Sequence, residues 1–485
     1  MISEDTDLIY PYRLERLSAA LLAGLLATGC AMVPGQPVAQ SAVAALAPSA
    51  WSAPLPHGGN SVDLAHWWQS LGDPLLVELI ASTESVSPTL ASATSRLLQS
   101  RAALGNANAA NRPTLNASLA AQRGVNATSP VVATALQSSL DASWEIDLFG
   151  ANRTAANAAE ARLQGSGALW HEARVSVAAE TASAYFSWRN CRKLLAVVQL
   201  DATSRSETAR LSELSAQAGF TAAAVAALAQ ASAAEGHARI TQQSNQCDST
   251  LKALVTLTAV PEAELRQRLE APAAEGVALD LPAVTALPAD LLSQRPDLMA
   301  AERDVAAASA DLGSAQAQRY PRLMLNGQIG TLNFSSQGTS TDLSTWSIGP
   351  VSVSLPIFDG GRRAANVQAA EARYDEAASL YRAKARQAVR EVEDALLSLA
   401  STGSQKEDAT TAVTGYEASF NATQARYQAG SASLPELEDA RRITLAAQTT
   451  LLQLDLQRTQ AWIALYRALG GGWQVHATLP HALKP

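Results

Sequence analysis

Only 3 of the 485 residues are cysteine, 5% are aromatic and 16% carry a full charge. So few thiols cannot staple a chain of this length, which excludes a disulfide-built scaffold. Scarce charge together with 47% apolar residues excludes a disordered chain. A net charge of −8 and the lack of any Lys/Arg-rich block exclude a nucleic-acid binder, because neutralising phosphates requires a basic surface. His57, His66, His171, His237, His476 and His481 show no metal-ligand spacing, and there is no P-loop, dinucleotide glycine fingerprint or serine nucleophile elbow. No catalytic residue, metal or other cofactor is therefore expected. Past the N-terminus no apolar run reaches about 18 residues, so no helix is expected to cross a membrane.

What is abundant is alanine, about one residue in five, an excess over ordinary usage that favours closely packed helices. The chain also repeats itself. Pro88 and Pro296, and Pro113 and Pro321, stand at a common offset of 208 residues. Further on the offset becomes 211, where Ala158-Ala159-Glu160-Ala161-Arg162 recurs as Ala369-Ala370-Glu371-Ala372-Arg373 and Gln217-Ala218-Gly219 as Gln428-Ala429-Gly430. A constant offset over so many landmarks marks a tandem duplication. The expected division is a first repeat over 73–262 and a second over 288–473, with a linker at 263–287 and a tail at 474–485.

Each half reads helix, hairpin, long helix, helix. Residues 88–111 and 296–319 open on a proline, where the missing N–H costs nothing, and run to Pro113 and Pro321. The period then changes from 3.6 to 2. Leu136, Leu140, Ala142, Trp144, Ile146 and Leu148 share one face opposite Gln137, Ser139, Asp141 and Ser143; Leu323, Leu325 and Ile329 oppose Asn326 and Gln328. Hairpins are expected within 114–148 and 322–356, with loops at Asn126–Pro130 and Ser335–Ser340. From Asn152 to Gln217 and from Arg362 to Gln428 there is no proline, so each run can be one helix roughly 100 Å long at 1.5 Å per residue. Arg386, Arg390, Glu391, Glu393 and Asp394 read as its solvated face. Gly219 and Gly430 suit the left-handed residue that closes a helix, and shorter helices return over 221–258 and 436–469. Four strands cannot close a membrane barrel, whose smallest form has about eight, and lipid tolerates no open edge. Several copies must then share one.

At the N-terminus, Leu17–Ala27 has the length of a signal h-region and follows Arg13 and Arg16. Leu25-Leu26-Ala27-Thr28-Gly29-Cys30 resembles the lipobox of bacterial lipoproteins, which implies cleavage after residue 29 and a lipid on Cys30; Ala31 resembles the outer-membrane sorting pattern. Residues 30–72 would then be a lipidated N-terminal segment, with Trp67-Trp68 as core packing.

Trp67-Trp68, Asp73-Pro74-Leu75, Trp144-Glu145-Ile146-Asp147-Leu148-Phe149-Gly150, Gln294-Arg295-Pro296-Asp297-Leu298, Leu355-Pro356-Ile357-Phe358-Asp359-Gly360-Gly361 and Arg426-Tyr427-Gln428-Ala429-Gly430 resemble the signature segments of TolC-type outer-membrane channels, most closely the OprM-like, NodT-type lipoprotein branch. The resemblance implies a mainly α fold with a membrane β-barrel contribution: a homotrimer with a twelve-stranded barrel and a helical tube in the periplasm. It also implies docking to a periplasmic adaptor and an inner-membrane resistance-nodulation-division pump, in a passive duct exporting small molecules. A protein-secretion channel and a non-conducting periplasmic lipoprotein are the alternatives. In such channels a motif near Asp-Ala-x-Arg constricts the periplasmic end. Asp439 matches its aspartate and Arg442 its arginine, with Leu434 and Glu438 beside them. Finally, Cys191 and Cys247 each lie 28 residues from Gly219, at one height on two antiparallel helices, and are expected to form a disulfide.

Overall fold

The structure, a computed structural model, describes residues 67–126, 129–271 and 294–472. The signal segment, Cys30, most of the 263–287 linker, the 474–485 tail and the centre of the Asn126–Pro130 loop lie outside the described residues. The helices are α1 (Trp67–Ser70), α2 (Pro74–Val86), α3 (Pro88–Ala109), α4 (Ala151–Gln217), α5 (Ala223–Thr258), α6 (Glu262–Glu270), α7 (Pro296–Ala317), α8 (Arg362–Gln428) and α9 (Leu434–Ala468). The strands are β1 (Thr114–Asn126), β2 (Ser129–Ile146), β3 (Arg322–Ser336) and β4 (Thr339–Ser354).

Two compact units divide the chain. The first holds Leu97–Gly165 and Ala301–Tyr381, and with them all four strands. Its sheet runs β1-β2-β3-β4, antiparallel throughout, so the two hairpins join through β2 and β3. Leu140 lies opposite Ala117 on one side and Ile329 on the other, and Ile329 lies opposite Trp346. β1 and β4 are edge strands. Pro350 sits on β4, where a missing donor on an edge is tolerated. The 335–340 loop is shorter than expected: β3 and β4 continue to Ser336 and Thr339, leaving Gln337 and Gly338 at φ 50 and 76. Two successive left-handed residues match the twist of the flanking strands and close the hairpin tightly.

The second unit holds the described parts of Ala39–Arg96, Ser166–Ala300 and Arg382–Pro485. The Asp73 carboxylate accepts from the Leu75 and Leu76 N–H groups, capping α2, and also accepts from the Tyr185 hydroxyl of α4. Trp67 stacks on Tyr466 with centroids 4.9 Å apart, and Trp68 meets the same ring edge-on at 4.8 Å. Around this aromatic group Leu76, Leu79, Leu251, Leu254, Leu265, Leu396 and Trp462 form the core. The α4 and α8 ends are closed as expected: Gly219 and Gly430 have φ 78 and 75, and the N–H groups of Phe220 and Ser431 reach back to the carbonyls of Ser215 and Arg426.

Candidate functional site: an inverted sheet and a charged helix junction

The alternating strands place apolar side chains on one face of the sheet, and that face is exposed. Leu115, Leu119, Leu136, Leu140, Ile329, Trp346 and Ile348 all lie on it, with Trp346 75% and Ile348 84% exposed. The opposite face is polar and knit together. The Ser118 and Ser139 hydroxyls lie 2.7 Å apart, Ser139 donates to Asp141 at 2.8 Å, and Ser143 donates to the Asn326 carbonyl at 3.1 Å. A water-soluble sheet buries its apolar face and shows its polar one. This sheet leaves its apolar face uncovered, the arrangement suited to lipid outside and water inside.

The residues matched to the periplasmic constriction lie at the start of α9, in the second unit. Ser433 caps the helix: its hydroxyl accepts from the Glu436 N–H, and the Glu436 carboxylate accepts from the Ser433 N–H at 2.6 Å. That backbone hydrogen bond, with one from the Ser433 hydroxyl, holds the Glu436 carboxyl below its usual range. Beyond the cap, the four candidate residues separate onto two faces. Asp439 and Arg442 pair with each other one turn apart on the exposed face. Leu434 is buried against Ala209, Ala229, Ala233 and Leu437.

Glu438 also turns inward. It accepts from Arg205 of α4 and from the Ser232 hydroxyl of α5, each at 2.7 Å, and pairs with Arg441. Arg205 is held by Asp201 at 2.8 Å, and Arg441 donates to Thr208 at 3.0 Å. Burial lowers the Arg441 pKa against the raising effect of Glu438. In the sequence Asp201 and Arg205, and Glu438 and Arg441, have ordinary i,i+4 and i,i+3 charge spacing, and nothing there links the two pairs to each other or to Ser232. One signal was present. Gly236 interrupts α5 where a Cβ would lie 3.1 Å from both the Ala202 Cα and the Arg205 Cδ, so the glycine permits the close crossing that seats Arg205.

Cys191 and Cys247 are joined, with Sγ–Sγ 2.03 Å and Cα–Cα 5.5 Å, tying α4 to α5. Arg295, from the Arg295-Pro296-Asp297 segment, is buried; it donates to Asp297 at 2.9 Å, to Glu391 at 2.8 Å and to the Ala468 carbonyl at 3.0 Å. Glu391 is thus a correction to the solvated face read for 386–394: its carboxylate is the outer partner of a buried guanidinium. Burial opposes ionisation of Asp297, but hydrogen bonds and charge from Arg295, then Lys384 and the Leu298 N–H, hold its carboxyl below the usual range. Among the described residues no cluster of His, Cys, Asp and Glu could hold a metal, and no helix is long and apolar enough to cross a membrane.

Residues 79–260 and 287–471 match the family described as "Outer membrane efflux protein". The chain belongs to that family. OprJ of Pseudomonas aeruginosa, an outer membrane protein, is 30% identical over 476 residues, covering 94% of this chain and 95% of OprJ. The toluene efflux pump outer membrane protein TtgI of Pseudomonas putida is 30% identical over 347 residues, covering 70% and 72%. Among solved structures, the outer-membrane channel OprN superposes with a TM-score of 0.77 at 26% identity, over 88% of this chain and 98% of that one. The mainly helical fold with one four-stranded antiparallel sheet is that of these channels. As a family member, the chain is an outer membrane efflux protein.

Proposed function

We propose that the chain is the outer-membrane channel subunit of a tripartite efflux system, a passive duct for small molecules that performs no chemistry of its own. The observation that carries this reading is the sheet whose apolar face is exposed and whose two edges are unpaired among the described residues of a single chain. Three copies would close a twelve-stranded barrel with that face toward lipid and the Ser118–Asp141 face toward water. The helical unit would reach into the periplasm and dock on an adaptor protein joined to an inner-membrane pump. A lipid on Cys30 would add an anchor. Substrate choice would rest with the pump.

At the periplasmic constriction, three copies of Asp439 would form a ring. Like charges in a narrow pore attract cations and resist closer approach, while Arg442 compensates each one. Glu438, locked to Arg205 and Ser232, would fix the helix face on which Asp439 stands. In planar bilayers the purified protein is expected to conduct with a preference for cations. Asp439→Asn is expected to lower the cation-to-anion permeability ratio at least twofold and to raise the resting conductance. Absence of conductance would refute the duct; unchanged selectivity in Asp439→Asn would refute the ring.

A further inference from the structure

The inverted polarity of the sheet does not persist along the second hairpin. From Leu323 to Ile329 on β3, and from Trp346 to Val353 on β4, the exposed face is apolar, while the opposite face carries Asn326, Gln328 and Ser347, with Met324 near the start of β3. One row nearer the turn the pattern exchanges. Thr331 and Ser344, then Asn333 and Asp342, occupy the formerly apolar face, and the Asn333 amide donates to Asp342 at 2.6 Å. The formerly polar face now carries Leu332 directly opposite Leu343, with Phe334 two residues further on.

The position of the exchange is informative. Leu323 to Ile329 spans about 20 Å along the strand at roughly 3.3 Å per residue, which the tilt of a membrane strand reduces to about 15 Å of the roughly 25 Å height of a lipid-facing band. Beyond Ile329 the outward side of this hairpin becomes polar, although Leu136 of β2, opposite Asn333, keeps an apolar side chain in the same row. Water does not explain why the inward side becomes apolar at the same row. The Leu332–Leu343 cross-strand pair gives each leucine one apolar neighbour, with Gln137 on the other side of Leu332, yet Leu343 remains 50% and Phe334 41% exposed within the chain. No described residue of the chain covers them, and in a barrel closed through β1 and β4 the groups facing this patch are those of its own copies.

We propose that Leu332, Phe334 and Leu343 of the assembled copies form an apolar collar that narrows the turn end of the duct. The collar is a second constriction, separate from the Asp439 end, and it hinders hydrated ions while retaining apolar cations. This rests on the barrel reading given under the proposed function. The test uses the full-length protein in planar bilayers, with tetraphenylphosphonium added on the side facing the strand turns. The wild type is expected to be blocked, and a Leu332→Ser/Phe334→Ser/Leu343→Ser variant to need at least fivefold more of the cation for equal block. Leu343→Trp, which keeps a good strand former and so guards against a folding defect in the triple variant, is expected to tighten the block by a similar factor. Absence of block in a conducting wild type would overturn the collar, as would equal block in wild type and Leu343→Trp. A wild type that never conducts would instead overturn the barrel reading.

Discussion

Replacing Arg295 by methionine is expected to lower the stability of the helical unit by about 3–5 kcal/mol, the cost of leaving buried charge without its partner. Asp297 and Glu391 both lose a guanidinium at 2.8–2.9 Å, and the Ala468 carbonyl at the end of α9 loses its donor. Lys384, 4.0 Å from Asp297 and half exposed, is too solvated to replace it. The pH dependence should change with it. In the wild type the Asp297 carboxyl sits below its usual range, so its contribution is present above the unfolded carboxylate pKa and is lost as pH falls through the lower folded value. Without Arg295, burial is the dominant influence and pushes the same carboxyl up, so acidification should relieve the defect. Denaturation of the detergent-solubilised protein, followed from neutrality to about pH 4, should therefore show the gap between wild type and Arg295→Met narrowing. A loss under about 1 kcal/mol, or a gap that stays constant with pH, would show that the cluster is not the tie described.

A second large effect is expected on the sheet. Leu140 lies mid-strand on the exposed apolar face, and Gln137, three residues away, lies on the other. An arginine on the lipid face of a membrane strand costs roughly 2–4 kcal/mol near the bilayer midplane, whereas the water-facing side tolerates charge. Leu140→Arg should reduce the amount of assembled protein recovered from outer membranes at least tenfold, and Gln137→Arg should accumulate as the wild type does. A soluble sheet packed on its own chain gives no such contrast, so equal accumulation of the two variants would exclude the lipid-facing assignment.

Much of this was legible from residue order because it depends on local periodicity. Absence of proline across α4 and α8, the prolines at 88 and 296, and the glycines at 219 and 430 each act within one or two turns, and the helix ends fall within about two residues of where they point. Alternation in β2 and β3 likewise reveals two faces from one strand. It does not reveal how far pairing continues, so Ser335, Ser336, Thr339 and Ser340 read as loop although they hydrogen-bond in register to the turn.

The charged residues were the least legible. Glu391 and Glu393 are two places apart on α8, yet Glu391 faces the buried Arg295. Glu438 and Asp439 are adjacent, yet one meets Arg205 and the other stays with Arg442 at the surface. Spacing on a helix places side chains relative to each other, but which stripe is buried depends on a partner segment hundreds of residues away, as with Arg205 and Glu438. Gly236 makes the same point, because its close neighbour Ala202 lies on a different helix.

Among the described residues β1 and β4 leave free strand edges, and the lipid-facing and water-facing assignment requires other copies to pair with them. Native mass determination of the protein extracted from outer membranes in mild detergent tests this directly. Three chain masses are expected, with no particle of one chain surviving removal of detergent. A stable single-chain particle in detergent-free buffer, with Trp346 and Ile348 shielded from water, would contradict it.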